Sequence, residues 1–302
     1  MLNKVFKNKM PFEVIGLFFA LLFIETATAV DLGSAYPSTG PFFSANYSTS
    51  KPTQTIKSLK VVSFNVMFSK DPDALIKDLS AIPEINDADI ILLQEVTGSL
   101  GGKENAADTI AKKLGYNYVF SPGMIFGGED YGNAILSRYP LFDFKKIVLP
   151  TTQSPMDRTV RAPIMASVDL NGTFLKVVNT HLSVWFSDST GKDVKRSEQM
   201  KTMLTDFKLS EYPNVLIGGD LNTHRQKGED IIKNILKGEQ YQDAHPVKGW
   251  TFRTFRTHLD HIFIKGIFEP GENGNSTESR SSDHIPIWAK ISTATALVKS
   301  DR

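Results

Sequence analysis

The 302-residue sequence contains no cysteine. That absence removes disulfide staples, thiolate ligands and a cysteine nucleophile, so stability must come from the core and any metal must be held by nitrogen or oxygen. Nor is there an excess of one charge sign, because 34 basic residues stand against 33 acidic ones. Residues 1–29 carry Lys4, Lys7, Lys9, Glu13 and Glu25, and without them the count is 31 of each sign. A globally basic nucleic-acid surface is therefore not indicated, although a local patch stays open. Long hydrophobic runs are missing as well. The apolar stretch 14–24 is shorter than the ~18 residues that read as a membrane span. It follows three lysines and precedes Ala27-Thr28-Ala29, the pattern of a secretory signal. The expectation is an exported chain, periplasmic or secreted, with residues 1–29 removed; an uncleaved anchor is the alternative. No transmembrane segment is expected in the mature chain.

What is present suits one globular α/β domain, with 41% hydrophobic residues over this length. Residues 30–58 are rich in Ser, Thr, Pro and Tyr without a period of 2 or 3.6, and read as a polar N-terminal extension. The domain is placed at 59–293, followed by a tail, 294–302. Within it, short apolar runs alternate with amphipathic stretches: 60–64, a helix after Asp71-Pro72, 90–93, a helix over 104–114, then 116–120. Later come a helix within 192–209, a buried run 215–217, a helix near 229–236, and closing strands at 262–264 and 285–291. Segments 162–170 and 173–178 flank Asn171-Gly172, the dipeptide of a two-residue type I′ turn, and predict an antiparallel hairpin. Such alternation implies layers of sheet and helix.

Chemistry-bearing residues recur at the ends of these runs. Asn65 follows VVSF, Glu95 follows IILLQ, His181 follows FLKVVNT, and Asp220 with Asn222 follows VLIGG. Asp260-His261 and Asp283-His284 instead open the last two runs. Packed sheets would gather these carboxylates, amides and imidazoles in one cleft, where like charges repel unless a cation joins them. Oxygen donors without sulfur favour a hard ion, Mg²⁺ or Mn²⁺ first; the histidines leave catalytic zinc or an iron facial triad open. A hard metal with imidazoles suits phosphoester hydrolysis.

The motifs SFNVMF (63–68), LLQEV (92–96), YGNAILSRYP (131–140), VVNTHLS (177–183), IGGDLNTH (217–224), LDHIFIK (259–265) and SSDHIPIWAKI (281–291) resemble, in order, the endonuclease/exonuclease/phosphatase superfamily. The resemblance covers about residues 59–292, and the THL of His181 looks more like the deoxyribonuclease I, sphingomyelinase and inositol-phosphate phosphatase branch than like abasic-site endonucleases. It implies a four-layer α/β sandwich. It further implies that Glu95, supported by Asn65 and Asp283, holds the metal, and that Asp220, helped by Asn222, orients or deprotonates the attacking water. His284 would contact the scissile phosphate, kept cationic by Asp260, and His181 would be a second phosphate-facing imidazole and candidate general acid. Arg161 and Asn133 are candidate phosphate contacts.

His261 reads as packing behind Asp260, since neighbouring side chains on a strand point to opposite faces. His224, His245 and His258 read as surface or loop histidines. The segment 250–256 interleaves Trp250, Phe252 and Phe255 with Arg253 and Arg256, fitting either substrate recognition or a hairpin with aromatics in the core. The expected activity is an exported metal-dependent phosphodiesterase or nuclease, with sphingomyelinase-like or inositol-phosphate phosphatase activity as alternatives and a non-catalytic binding or toxin-like module as the reading of another class. A nuclease requires a basic groove from residues such as Arg138, Arg158, Arg161, Arg253 and Arg256; a lipid phosphodiesterase requires exposed apolar loops beside the cleft. The substrate is a phosphoester of nucleic acid, phospholipid headgroup or small-molecule type, and no obligate protein partner is indicated.

Overall fold

The computed structural model describes residues 35–50, 53–151, 159–184, 194–247 and 249–293. The expected signal 1–29, the tail 294–302 and Arg158 lie outside the described residues. Thirteen strands form two sheets. The strands are β1 (Phe43–Asn46), β2 (Ser58–Asn65), β3 (Ile90–Gly98), β4 (Asn117–Phe126), β5 (Glu129–Ser137), β6 (Leu141–Lys146), β7 (Ile164–Asp169), β8 (Phe174–His181), β9 (Val215–Asp220), β10 (Gln242–Asp243), β11 (Asp260–Lys265), β12 (Phe268–Asn275) and β13 (Ile287–Thr293). The first sheet runs β1-β4-β5-β3-β2-β13-β12 and the second β10-β11-β9-β8-β7-β6. Each has one parallel pair near its centre, β2–β3 and β8–β9, among antiparallel neighbours.

Among the described residues four α-helices cover the outer faces: α1 (Pro72–Ala81), α2 (Ala106–Leu114), α3 (Val194–Asp206) and α4 (Gln226–Gly238). Asp71 caps α1 by accepting from the amide of Ala74 at 3.0 Å, with Pro72 at the first helical position. Asn105 caps α2 in the same way, accepting from Asp108 at 2.8 Å. Leu92, Val61, Val177, Leu216 and Ile262 fill the layer between the sheets, Leu75, Leu79 and Ile110 pack under α1 and α2, and Met200, Met203, Ile232 and Leu236 pack under α3 and α4. This is the four-layer α/β sandwich. The central strands are apolar on both faces because both are covered, which is why VVSF and IILL read as continuous runs.

Several elements lie outside the simple apolar pattern. β1 pairs with β4 ahead of residue 59, and the edge strand β12 carries Pro270, Gly271 and Gly274, with a register shift between Pro270 and Asn273. The closing strand starts at Ile287, not 285, after Pro286. The Asn171-Gly172 turn has φ of 59° and 97°, as a type I′ turn requires, and it closes the β7–β8 hairpin.

The topology determines where the chemistry collects. β8 and β9 are parallel and β11 runs against β9, so His181, Asp220 and Asp260 stand in one row across three strands. β9 reaches that row through Gly219 at φ +140°, where an added Cβ would lie 1.8 Å from the carbonyl oxygen of Thr180. Gly219→Ala should therefore destabilise the protein by roughly 3 kcal/mol or more, through backbone strain together with displacement of the strand. Denaturant titration checks this, and wild-type stability in the variant would refute it.

Candidate active site

Asn65 ends β2, and its amide nitrogen donates to Asp220 Oδ2 at 3.0 Å and Glu95 Oε1 at 3.2 Å, joining the two sheets. Its own Oδ1 accepts from the Met67 amide at 3.1 Å. Glu95 is not at a strand end, as its sequence position suggested. β3 continues past it, and a register shift between Leu93 and Val96 lifts it out of the ladder at φ 60°. A bulge of this kind re-aims a side chain, and here it aims the carboxylate at the cleft. Burial raises the Glu95 pKa, opposed by the charges of His284 and Arg161 and by the Asn65 hydrogen bond, and Asp283 raises it further.

Asp220 accepts from the amide of Asn222 at 2.9 Å, and Asn222, at φ 51°, anchors itself through Nδ2 on the Leu182 carbonyl at 2.9 Å. Burial and then Asp260 push Asp220 up to about 7, against the pull of His284. Opposite it, His284 Nδ1 contacts Asp260 Oδ2 at 2.9 Å while Nε2 faces Asp220 Oδ2 at 3.7 Å. Burial alone would drive this imidazole neutral, but the charge and hydrogen bond of Asp260, with Asp220 and Asp283, outweigh it and lift the pKa to about 10. His284 is thus an imidazolium between two carboxylates.

His181 Nε2 lies 3.5 Å from Asp220 Oδ2, yet burial first, then Arg161 and His284, hold its pKa well below 6.5. It is neutral in the empty cleft. Arg161 is 4% exposed, and its Nε and Nη1 have no hydrogen-bond partner. It shares a small pocket with Asn133, Tyr131, Gly132 and His181. Asn133 donates to the Ala162 carbonyl at 2.9 Å, which fixes the backbone next to Arg161. Two buried guanidinium nitrogens without a partner favour an anion.

The donor set also fits a hard cation. Glu95 is half-buried with an amide as its hydrogen-bond donor, beside Asp283 and the Asn65 side chain, and all of these offer oxygen. These residues would hold the metal implied by the family.

Other contributors carry no sequence signal of their own. Gln94 donates to Asn179 Oδ1 at 2.7 Å, and Asn179 donates to the carbonyls of Leu93 and Ala134, both at 2.8 Å. Ser282 Oγ ties the Asp283-His284 loop to the Asn65 carbonyl at 2.7 Å. Thr251 Oγ1 accepts from the amides of Leu259 and Asp260 at 2.9 and 3.2 Å. Phe252 packs on His284 with centroids 5.0 Å apart, so part of the 250–256 segment backs the site rather than facing outward. Gln199 of α3 accepts from the Ser183 amide at 3.0 Å and braces the loop after His181. His245 is in a loop but fully buried, contrary to a surface assignment, and His224 is partly buried and pushed down to about 4, chiefly by burial.

A buried carboxylate–imidazolium chain facing an unpaired guanidinium on this sandwich defines a phosphoesterase-type hydrolase. Residues 62–284 match the Endonuclease/Exonuclease/phosphatase family, and the chain belongs to it. It is similar to YbhP of Escherichia coli strain K12, at 26% identity over 234 residues covering 70% of this chain and 88% of YbhP. A shorter stretch of 121 residues is 31% identical to phospholipase C of Staphylococcus aureus and covers 38% of this chain and 36% of that protein. In fold it is similar to an endonuclease/exonuclease/phosphatase family protein from Leptotrichia buccalis, with a TM-score of 0.62 and 19% identity over 77% of this chain and 99% of that one.

The titrations give a sign for pH dependence. His284 is raised from 6.5 to about 10, so its contribution to stability is complete below its unfolded pKa and is lost as pH rises through about 10. Asp220, raised to about 7, has the same sign at lower pH. In chelator, the melting temperature should fall between pH 7 and 10, reflecting a loss on the order of a few kcal/mol. Asp260→Asn should flatten that slope. A slope unchanged in the variant would remove Asp260 as the partner that keeps His284 charged.

Proposed function

We propose that this protein is an exported, divalent-metal-dependent phosphodiesterase, with Arg161, His181 and Asn133 receiving the phosphate and Asp220 and His284 performing the hydrolysis. The observation that carries this reading is the buried Arg161 guanidinium, unpartnered at Nε and Nη1, in the pocket that His181 also lines. Asp220, with its pKa near neutrality, takes a proton from water as the new oxygen–phosphorus bond forms, and Asn222 fixes its orientation. His284 and Arg161 meet the phosphoryl oxygens as charge builds on them. The anion itself changes His181: a bound phosphodiester offsets the two cations that add to burial in disfavouring the charged ring, raises its pKa and lets it protonate the leaving oxygen. Glu95, Asn65 and Asp283 hold Mg²⁺ or Mn²⁺, which supplies Lewis-acid stabilisation of the phosphoryl charge when bound.

The rim supports a phospholipid headgroup over a nucleic acid. Arg138 sits at the far end of the sheet, beside residue 89 rather than Glu95, and pairs with Asp87 at 2.7 Å. Arg253 is committed to the carbonyls of Ser279 and Ser282. A basic groove therefore lacks two of its named members. In contrast, Met67 follows Asn65 closely, Val184 follows Ser183, and Phe255 stacks on Phe252 behind His284; all three are 36–39% exposed. The stretch shared with a phospholipase C points the same way. Among the described residues no helix is long and apolar enough to cross a membrane, so contact with lipid would be made by this rim.

The test is turnover of sphingomyelin and phosphatidylcholine vesicles, plasmid DNA and bis(p-nitrophenyl) phosphate, with Mg²⁺, Mn²⁺ or chelator. Metal-dependent cleavage of vesicle headgroups is expected, reduced about 1,000-fold by His284→Ala and about 100-fold by Arg161→Ala. Nicking of DNA with idle vesicles would return the nuclease reading. Inactivity of folded protein on every diester would overturn the proposal.

A further inference from the structure

On the other face of β11 from Asp260, Glu229 of α4, His258 and His261 each bring a ligand atom within 4.8 Å of the others. Alternation along the strand turns Asp260 and Ile262 toward the layer between the sheets and His261 and Phe263 toward the helices. The His258 and His261 rings are 4.4 Å apart, and the His245 ring lies 5.6 Å from that of His258.

Thr223 Oγ1 lies 3.3 Å from the His258 carbonyl and 3.1 Å from His261 Nε2. His261 Nδ1, in a side chain 1% exposed, has no hydrogen-bond partner. Asn275 Oδ1 lies 2.7 Å from His245 Nε2, and the buried His245 Nδ1 is likewise without a hydrogen-bond partner. His258 approaches Glu229 Oε1 with Nδ1 at 3.5 Å and leaves Nε2 buried without a partner. A histidine packed only for bulk has no need of a carboxylate or of neighbouring imidazoles with buried, unpartnered nitrogens. Oxygens of Thr223 and Asn275 on the remaining ring nitrogens of His261 and His245 are instead the pattern of ligating imidazoles.

We propose that Glu229, His258 and His261, flanked by His245, form a second metal site, distinct from the catalytic cleft, that takes a nitrogen-preferring divalent cation of the zinc class. Two or three imidazoles and one carboxylate match that ion, whereas the oxygen-rich cleft around Glu95 suits a harder one. Donors about 2.1 Å from zinc stand about 3.4 Å apart, a contraction that side-chain rotation supplies. Lys233 contacts Glu229 Oε1 at 2.6 Å and Asp243 Oδ2 at 2.9 Å. Asp243 can keep this partly exposed ammonium when Glu229 turns to the cation. The ion would tie α4 to β11 and to the Thr223 loop that follows Asp220.

The experiment uses the full chain stripped with chelator, dialysed against Zn²⁺ alone, and assayed for bound zinc by mass spectrometry, for affinity by calorimetry and for melting temperature. One tightly bound zinc is expected that survives Glu95→Gln, weakens at least tenfold in both His258→Ala and Glu229→Gln, and raises the melting temperature of wild type but not of those two variants. Co²⁺ in its place should show tetrahedral ligand-field absorption. If no zinc is held, or if the zinc held is lost in Glu95→Gln and kept in Glu229→Gln, the site does not exist. Neither result bears on hydrolysis with Mg²⁺, so the catalytic reading is tested separately.

Discussion

Two buried amides set the distance and register between the sheets. Gln94 and Asn179 exchange a hydrogen bond across the layer, and Asn179 also reaches the backbone of β3 and β5. Apolar packing alone tolerates sliding, whereas a buried amide that loses its partner costs more than the bond contributed, so this contact has one acceptable alignment. Gln94 immediately precedes Glu95 and Asn179 stands two residues before His181. The alignment of the sheets is therefore also the alignment of Glu95 and His181 across the cleft.

On that frame the cleft is a problem in charge compensation. Glu95, Asp220, Asp260 and Asp283 face His284 and Arg161, with Glu95 and Asp283 half-buried and the rest buried, and the pKa directions show what burial does: Glu95 and Asp220 rise, His181 falls, and His284 rises because it has Asp260 directly on one nitrogen. The arrangement is rigid because its supports are short: Ser282, Thr251 and Asn222 fix their loops through backbone contacts of 2.7–3.2 Å.

Much of this was legible in the chain. Continuous apolar runs ending in Asn65, His181 and Asp220 marked covered strands with polar ends, and the turn at Asn171-Gly172 announced its hairpin. Other parts were not. The bulge that aims Glu95 depends on β5, which no local pattern reports. β12, built on Pro270, Gly271 and Gly274, owes its strand to pairing with β13 rather than to propensity. His258 and His261 look alike in sequence to any loop or packing histidine, and their grouping with Glu229 exists only once α4 and β11 meet. Arg138 looked like a member of a basic rim because its place at the remote end of β5 is a matter of strand direction, which composition does not encode.

The open guanidinium nitrogens have one more implication. Under the proposed hydrolysis Arg161 Nε and Nη1, which have no hydrogen-bond partner, meet something that arrives, and what leaves is not the same as what arrives. Cleavage of a diester yields a monoester bearing additional negative charge. A cation that welcomes the substrate thus holds the product harder, and the pace of the full cycle comes to depend on letting go.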